Sequence, residues 1–225
     1  MVQKPPRAER VMLEGPAGGL QALIETPLTE AGEPLTVPAF AVVCHPHPLY
    51  GGTLDNKVVY TLARAIGQLG VPAIRFNFRG VGASAGSYDE GRGESDDALA
   101  VIAFGRQRWP GAPLWLAGFS FGGAVAARIA APARAGRVVL AAPGITRLER
   151  ADFASAREAV PACPWLIVQG DADDVVPAPA VIEWARTRSP PPPVPAPQLA
   201  VLPGAGHFFH GRLNELREAV VAFLR

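Results

Sequence analysis

Short apolar runs rich in β-branched residues alternate along this chain with longer stretches in which apolar residues recur every three or four positions. Val11–Leu13 and Leu20–Glu25 flank Gly15, Gly18 and Gly19 and predict an opening hairpin. Ala39–Cys44 (AFAVVC) is a continuous apolar run, the pattern of a strand buried on both faces. Val58, Val59, Leu62, Ile66 and Leu69 then keep helical spacing, with Asp55 placed to cap the start and Gly70 to end it. Val71–Phe78 predicts the next strand, and the Gly-rich stretch RGVGASAGSYDEGRG predicts a long loop. A second helix is expected to about Trp109, with Ser95 as its cap and Glu94, Asp96 and Asp97 at its positive end.

The alternation continues to the end of the chain. Strands are predicted at Pro113–Ala117, Arg137–Ala142, Pro164–Gln169 and Gln198–Leu202, and helices at Phe121–Ala131, Ala178–Arg188 and Leu213–Arg225. Eight strands with helices between the later six require a mostly parallel sheet covered on both faces, behind an antiparallel start. The expectation is one α/β domain over residues 1–225. Pro190–Pro197 (PPPPVPAP) breaks the pattern and predicts a stiff surface spacer.

Composition narrows the function classes. With 21 Lys plus Arg against 20 Asp plus Glu and no basic cluster, neither a nucleic acid nor an anionic membrane is an expected partner. No apolar stretch is long enough to span a membrane, and the first residues lack the apolar core of a signal peptide. The two cysteines, Cys44 and Cys163, have no metal-ligand spacing and read as buried thiols of a reducing compartment, so a cytoplasmic location is expected.

The candidate chemistry begins at Gly118-Phe119-Ser120-Phe121-Gly122, which joins a predicted strand directly to a helix of small residues. G-x-S-x-G in a strand–turn–helix setting is a nucleophile elbow: the turn strains the serine, the glycines allow close packing, and the helix N-terminus favours a developing oxyanion. A serine nucleophile needs a base. His207 follows the last strand and so lies at the carboxyl edge of the sheet, where Ser120 also lies, whereas His210 falls at the approach to the last helix and reads as a surface or capping residue. The orienting acid should follow the strand PWLIVQ, where Asp171, Asp173 and Asp174 compete. His45 and His47 would share a face of a strand, but Pro46 and Pro48 break it and no third ligand is near, so no metal site is expected. GVGASAG opens into a loop rather than a helix, so no nucleotide or flavin cofactor is expected either.

The string Gly170-Asp171-Ala172-Asp173-Asp174-Val175-Val176-Pro177 resembles the G-x-x-D-x-x-V-P loop of α/β-hydrolases. The stretch from HPHPLYGG to RGESDD is similar, nearly end to end, to a group of small bacterial α/β-hydrolases described as carboxylesterase-like or dienelactone-hydrolase-like. The likeness extends over about residues 38–225 and includes the closing GAGHFFHGRL. It implies the α/β-hydrolase fold and selects Asp173, with Asp171 and Asp174 left to shape the turn. It also implies an oxyanion hole made by the amide of Phe121 and by one amide of the loop after AFAVVC. Aligning His45 with the superfamily's His-Gly points to His47, and Leu49 and Tyr50 stay open; Pro46 and Pro48 have no N–H. Arg79, the glycines of RGVGAS and Ser84 match a turn that is structural in the superfamily. Dienelactone hydrolases proper use a cysteine nucleophile, so Ser120 favours ester chemistry.

Larger relatives insert a cap domain where this chain has Pro143–Ala162, room for one short helix over Glu149–Val160. With the resemblance, this short segment predicts a lidless serine hydrolase acting on a small-molecule carboxylic ester, with short-chain or open-site substrates. A thioesterase or lactonase would use the same machinery, and a silent hydrolase fold serving as a binding module would keep only its shape.

Overall fold

The computed structural model describes residues 5–28, 31–32, 37–145, 161–187 and 196–225. The helix read over Glu149–Val160 and most of the proline-rich segment lie outside them. One eight-stranded sheet runs through the molecule in the order β1-β2-β4-β3-β5-β6-β7-β8. Its strands are β1 (Arg7–Gly15), β2 (Gly18–Thr26), β3 (Phe40–Cys44), β4 (Ala73–Phe76), β5 (Leu114–Phe119), β6 (Arg137–Ala141), β7 (Trp165–Gly170) and β8 (Gln198–Leu202). β1 and β2 are antiparallel to each other, β2 is antiparallel to β4, and all later pairings are parallel. Among the described residues the α-helices are α1 (Lys57–Gly67), α2 (Arg92–Arg108), α3 (Phe121–Ile129), α4 (Ala178–Thr187) and α5 (Leu213–Leu224).

The apolar run of β3 divides by its period of two. Phe40, Val42 and Cys44 face the core layer under α2, α3 and α4, while Ala41 and Val43 face the layer under α1 and α5. In α1, Val58, Val59, Leu62 and Ile66 are buried in that second layer against Leu216, Val220 and Phe223 of α5. This two-sided cover buries the side chains of an all-apolar strand, whose backbone groups pair with β4 and β5.

Local capping departs from the sequence reading. Asn56, not Asp55, caps α1: its Oδ1 accepts from the amides of Val58 (2.9 Å) and Val59 (3.4 Å), and Asp55 is left exposed beside Arg75. α2 begins three residues ahead of Ser95. Gly91, at φ 87°, is its N-cap, and the Glu94 carboxylate reaches back to the Gly91 amide (2.7 Å) and the Asp89 amide (2.9 Å). Ser95 is inside the helix, with its hydroxyl on the Gly91 carbonyl. The buried Asp97 carboxylate neutralises Arg79 rather than the helix end, through bonds of 3.0 and 2.8 Å and a third to the Arg79 amide. β4 is shorter than Val71–Phe78: Pro72 has no amide to donate, the Asn77 amide still reaches the Gln21 carbonyl of β2, and the Phe78 amide then turns to the His45 ring.

Candidate active site

Strand order changes direction at β3: β4 lies on one side of it and β5 on the other. A crevice at the carboxyl ends of β3 and β5 follows from that reversal. Cys44 is level with Gly118 across the β3–β5 pair, so the His45–Gly52 loop and Ser120 leave the sheet side by side. Gly170 is level with Leu202, so the loops after β7 and β8 emerge together as well.

Ser120 holds φ 52° and ψ −118°, a conformation rare for any residue with a side chain. The surroundings enforce it. Its amide donates to the Ala141 carbonyl (3.0 Å), and its carbonyl accepts from Gly144 (2.8 Å) and Ala124 (3.1 Å). A Cβ on Gly118 would stand 2.2 Å from the Gly122 carbonyl oxygen, and one on Gly122 would stand 2.4 Å from that of Cys44. Glycine at both positions lets α3 start directly against β3.

The structure brings Ser120, Asp173 and His207 into one hydrogen-bonded chain. Ser120 Oγ lies 3.0 Å from His207 Nε2, and His207 Nδ1 lies 2.8 Å from Asp173 Oδ2. An ionised carboxylate can only accept, so the proton is on Nδ1 and Nε2 is left as an acceptor facing the serine hydroxyl. His207 and Asp173 are 4% and 6% exposed. Burial pushes the Asp173 carboxyl up, but bonds from His207 and the amides of Val176 (2.7 Å) and Val175 (2.9 Å), together with the charge of His207, outweigh it and hold the group below the usual carboxylate range. Asp174 is exposed. Asp171 does not shape its own turn: its Oδ1 accepts from the Gly204 amide at 2.6 Å and ties the β7 loop to the β8 loop. His210 is exposed, stacked on Phe208 at 5.9 Å, and Arg212 takes the α5 N-cap position.

On the other side of Ser120, His45 is fully buried. Its Nε2 accepts from the Phe78 amide (3.0 Å), so Nδ1 carries the proton and donates to the Pro46 carbonyl (2.6 Å). Burial lowers its pKa to about 4, so this ring stays neutral as a brace between the ends of β3 and β4. His47 caps a short 3₁₀ turn, Pro48–Tyr50: its ring accepts from the Leu49 amide (3.2 Å), and its carbonyl accepts from the Tyr50 and Gly52 amides (both 3.1 Å). Its ring also lies against those of Phe121 (5.0 Å), Tyr88 (4.9 Å) and Tyr50 (4.6 Å). Tyr88 arrives on the 79–93 loop, which the Arg79–Asp97 pair anchors and in which Ser84 bonds the Asn77 carbonyl and the Gln21 amide. Cys44 and Cys163 are free and buried, and burial raises both thiols, so neither is poised as a nucleophile.

Sequence reasoning missed Gln169. Its side chain is fully buried and donates to Asp173 Oδ2 (3.0 Å). The available signal was a polar residue closing an otherwise apolar strand.

A family model described as "Serine aminopeptidase, S33" matches residues 51–150. An α/β serine hydrolase homologue from Coxiella burnetii is 42% identical, with a TM-score of 0.85 over 96% of this chain and 97% of its own. An α/β serine hydrolase without a lid from Xanthomonas campestris is 40% identical, with a TM-score of 0.85 over 100% of this chain and 97% of its own. An uncharacterised protein of Rickettsia prowazekii is 34% identical over 186 residues, 82% of this chain and 77% of its own.

Proposed function

This chain belongs to the lidless α/β serine hydrolases, and from that premise we propose that it cleaves carboxylic esters through an acyl-enzyme formed on Ser120. The observation that carries this reading is the chain from a strained Ser120 through His207 to Asp173. His207 Nε2 removes the Oγ proton as Oγ bonds to the acyl carbon, and the carbonyl π pair moves to oxygen. Asp173 keeps the imidazole in the tautomer that can do this and stabilises its positive charge. As the tetrahedral intermediate collapses, the C–O bond to the alcohol breaks and the imidazolium returns the proton to the leaving oxygen. Water, activated by the same nitrogen, then releases the carboxylic acid and restores Oγ–H.

The oxyanion falls to the amides of Phe121 and His47. Pro46 and Pro48 have no N–H, and the amides of Leu49 and Tyr50 are engaged by the His47 ring and carbonyl. That leaves His47, whose ring already lies on that of Phe121. Two such donors aimed at one oxygen contribute mainly in the transition state, when the charge has formed.

A fluorophosphonate probe tests the nucleophile: it is expected to label the parent at Ser120 and not Ser120→Ala, and labelling elsewhere would remove the assignment. Chromogenic esters of increasing acyl length are expected to show kcat/KM highest at short chains, since each further CH₂ contributes about 0.8 kcal/mol only where a wall buries it. The family model's description adds amide cleavage as a second reading. Aminoacyl arylamides and thioesters therefore belong in the same panel, and a preference for either would displace the ester.

A further inference from the structure

Gln169, next to last in β7, lies on the same face as Trp165 and Ile167, where the strand's period places an apolar side chain against the core. A glutamine there is fully buried. Its Nε2 lies 3.0 Å from Asp173 Oδ2, 3.1 Å from the Val176 carbonyl and 3.2 Å from that of Gly170. Three acceptors around one atom identify it as the nitrogen. The other end is unpaired: among the described residues Oε1 is buried with no hydrogen-bond partner. Burying an amide with its oxygen unpaired is a cost a leucine or methionine would not incur.

The two oxygens of Asp173 are served differently. Oδ1 accepts from the amides of Val175 and Val176, which set the loop. Oδ2 accepts from His207 and from Gln169. Gln169 thus shares the one oxygen on which the imidazolium bears.

We propose that Gln169 is a positioning residue that sets how strongly Asp173 holds the His207 proton. A second donor on Oδ2 draws charge away from the His207 hydrogen bond and lowers the basicity of that oxygen. The proton then stays on Nδ1 when His207 becomes charged, and the imidazolium is not stabilised so far that it fails to return its Nε2 proton to the leaving group. The two hydrogens of Nε2 are shared among Oδ2 and the Val176 and Gly170 carbonyls, which keep the Gln169 amide in place against the carboxylate. The inference rests on the reading of Asp173 as the orienting acid.

The test is Gln169→Met, which keeps the volume and removes the donor, with Asp173→Asn in the same series. Expected for Gln169→Met is a kcat lower by about 10- to 100-fold, the scale seen when a group that orients a working side chain is lost, with KM within about twofold. The acidic limb of kcat/KM against pH should move to higher pH, because Oδ2 with one donor fewer stabilises the charged imidazole more. The low-field proton resonance of the Nδ1–H···Oδ2 bond should move as well. An inactive Asp173→Asn beside a Gln169→Met with the parental profile would overturn this proposal alone. An active Asp173→Asn would overturn the site reading and the proposal with it. Loss of activity in Gln169→Met with the limb and resonance unmoved would mark a packing role and also overturn it. If Gln169→Met does not fold, Gln169→Glu decides: its protonated carboxyl donates to Oδ2, but its ionised form sets two carboxylates together. Its activity should therefore fall at high pH, where the parent is level, and a parental profile would overturn the proposal.

Discussion

Ser120 stands between two loops of opposite construction. On the β7–β8 side, Asp173 and His207 are almost wholly buried, and the Asp173 carboxylate takes bonds from two amides, an imidazole and the Gln169 side chain. On the β3 side the loop is shaped by its own backbone and two histidine rings, and its outer side chains face water: Leu49 is 66% and Tyr50 81% exposed. The difference follows from where charge moves. In the proposed mechanism a proton shuttles through His207, and that needs fixed, dry partners, because electrostatic terms gain strength away from water. An amide proposed to bind an oxyanion needs only a rigid backbone, so the side chains there are free to face water.

The largest test of this contrast is Asp173→Asn against its neighbours. An asparagine in that place would hold the imidazole in the wrong tautomer, and kcat should fall by about 10⁴-fold. Asp171→Asn removes only the charge from a bond to the Gly204 amide and should cost no more than about tenfold. Equal losses in steady-state kinetics would mean that the loop's acid is misassigned.

The β3 side can be broken through its backbone. A Cβ on Gly52 would lie 2.1 Å from the Pro46 carbonyl oxygen and 2.7 Å from that of His47, so Gly52→Ala must move the loop. With one oxyanion donor displaced, kcat is expected to drop about 10²- to 10³-fold while fluorophosphonate still reaches Ser120. An unchanged kcat would exclude His47 as a donor.

The brace beneath that loop should be visible as pH-dependent stability. Burial takes His45 from the ordinary 6.5 to about 4, so between those values the unfolded chain binds a proton that the folded chain refuses. Stability is therefore lost as pH falls from 6.5 toward 4, by up to roughly 3 kcal/mol from this group. Urea midpoints across that range should show the slope in the parent, and His45→Gln should flatten it. An identical slope in both proteins would place the titration elsewhere.

The smallest effect is expected at the exposed aromatics. Tyr50→Ala and Phe208→Ala should leave kcat near the parental value and raise KM a few-fold, because both rings are exposed beside the proposed site and neither lies in its hydrogen-bonded chain. Phe208 is 46% exposed and meets the His207 ring at 5.1 Å, beside the proposed base. A large fall in kcat from either variant would mean that recognition and chemistry are not divided between the loops in this way.

Much of this was legible in the chain itself. Alternation of short apolar runs with helical spacing specifies a mostly parallel covered sheet, because only one period fits each element. The elbow was legible because its motif is local: the glycines and serine of GFSFG lie within five residues and Gly118 meets Gly122 across the turn, although the ends of β3 and β6 that pack on it come from elsewhere in the chain. The sequence also pointed to Ser120 and His207, the family resemblance of the β7 loop selected Asp173 among three aspartates, and the fold brings the three together across gaps of 87 and 34 residues.

What the tertiary structure alone decided were choices between equivalent local groups. Asp55 and Asn56 are both good caps, and the register of α1 selects Asn56. Ser95 gives way to Gly91 and Glu94 because the 79–93 loop enters α2 a turn early. Asp171 finds its partner 33 residues away, and Gln169 acquires its role from a carboxylate that folds back over its strand. Periodicity and motif spacing record which groups must be near in the chain. Which donor faces which acceptor depends on strand register and on the packing of separate loops, and no local pattern carries that information.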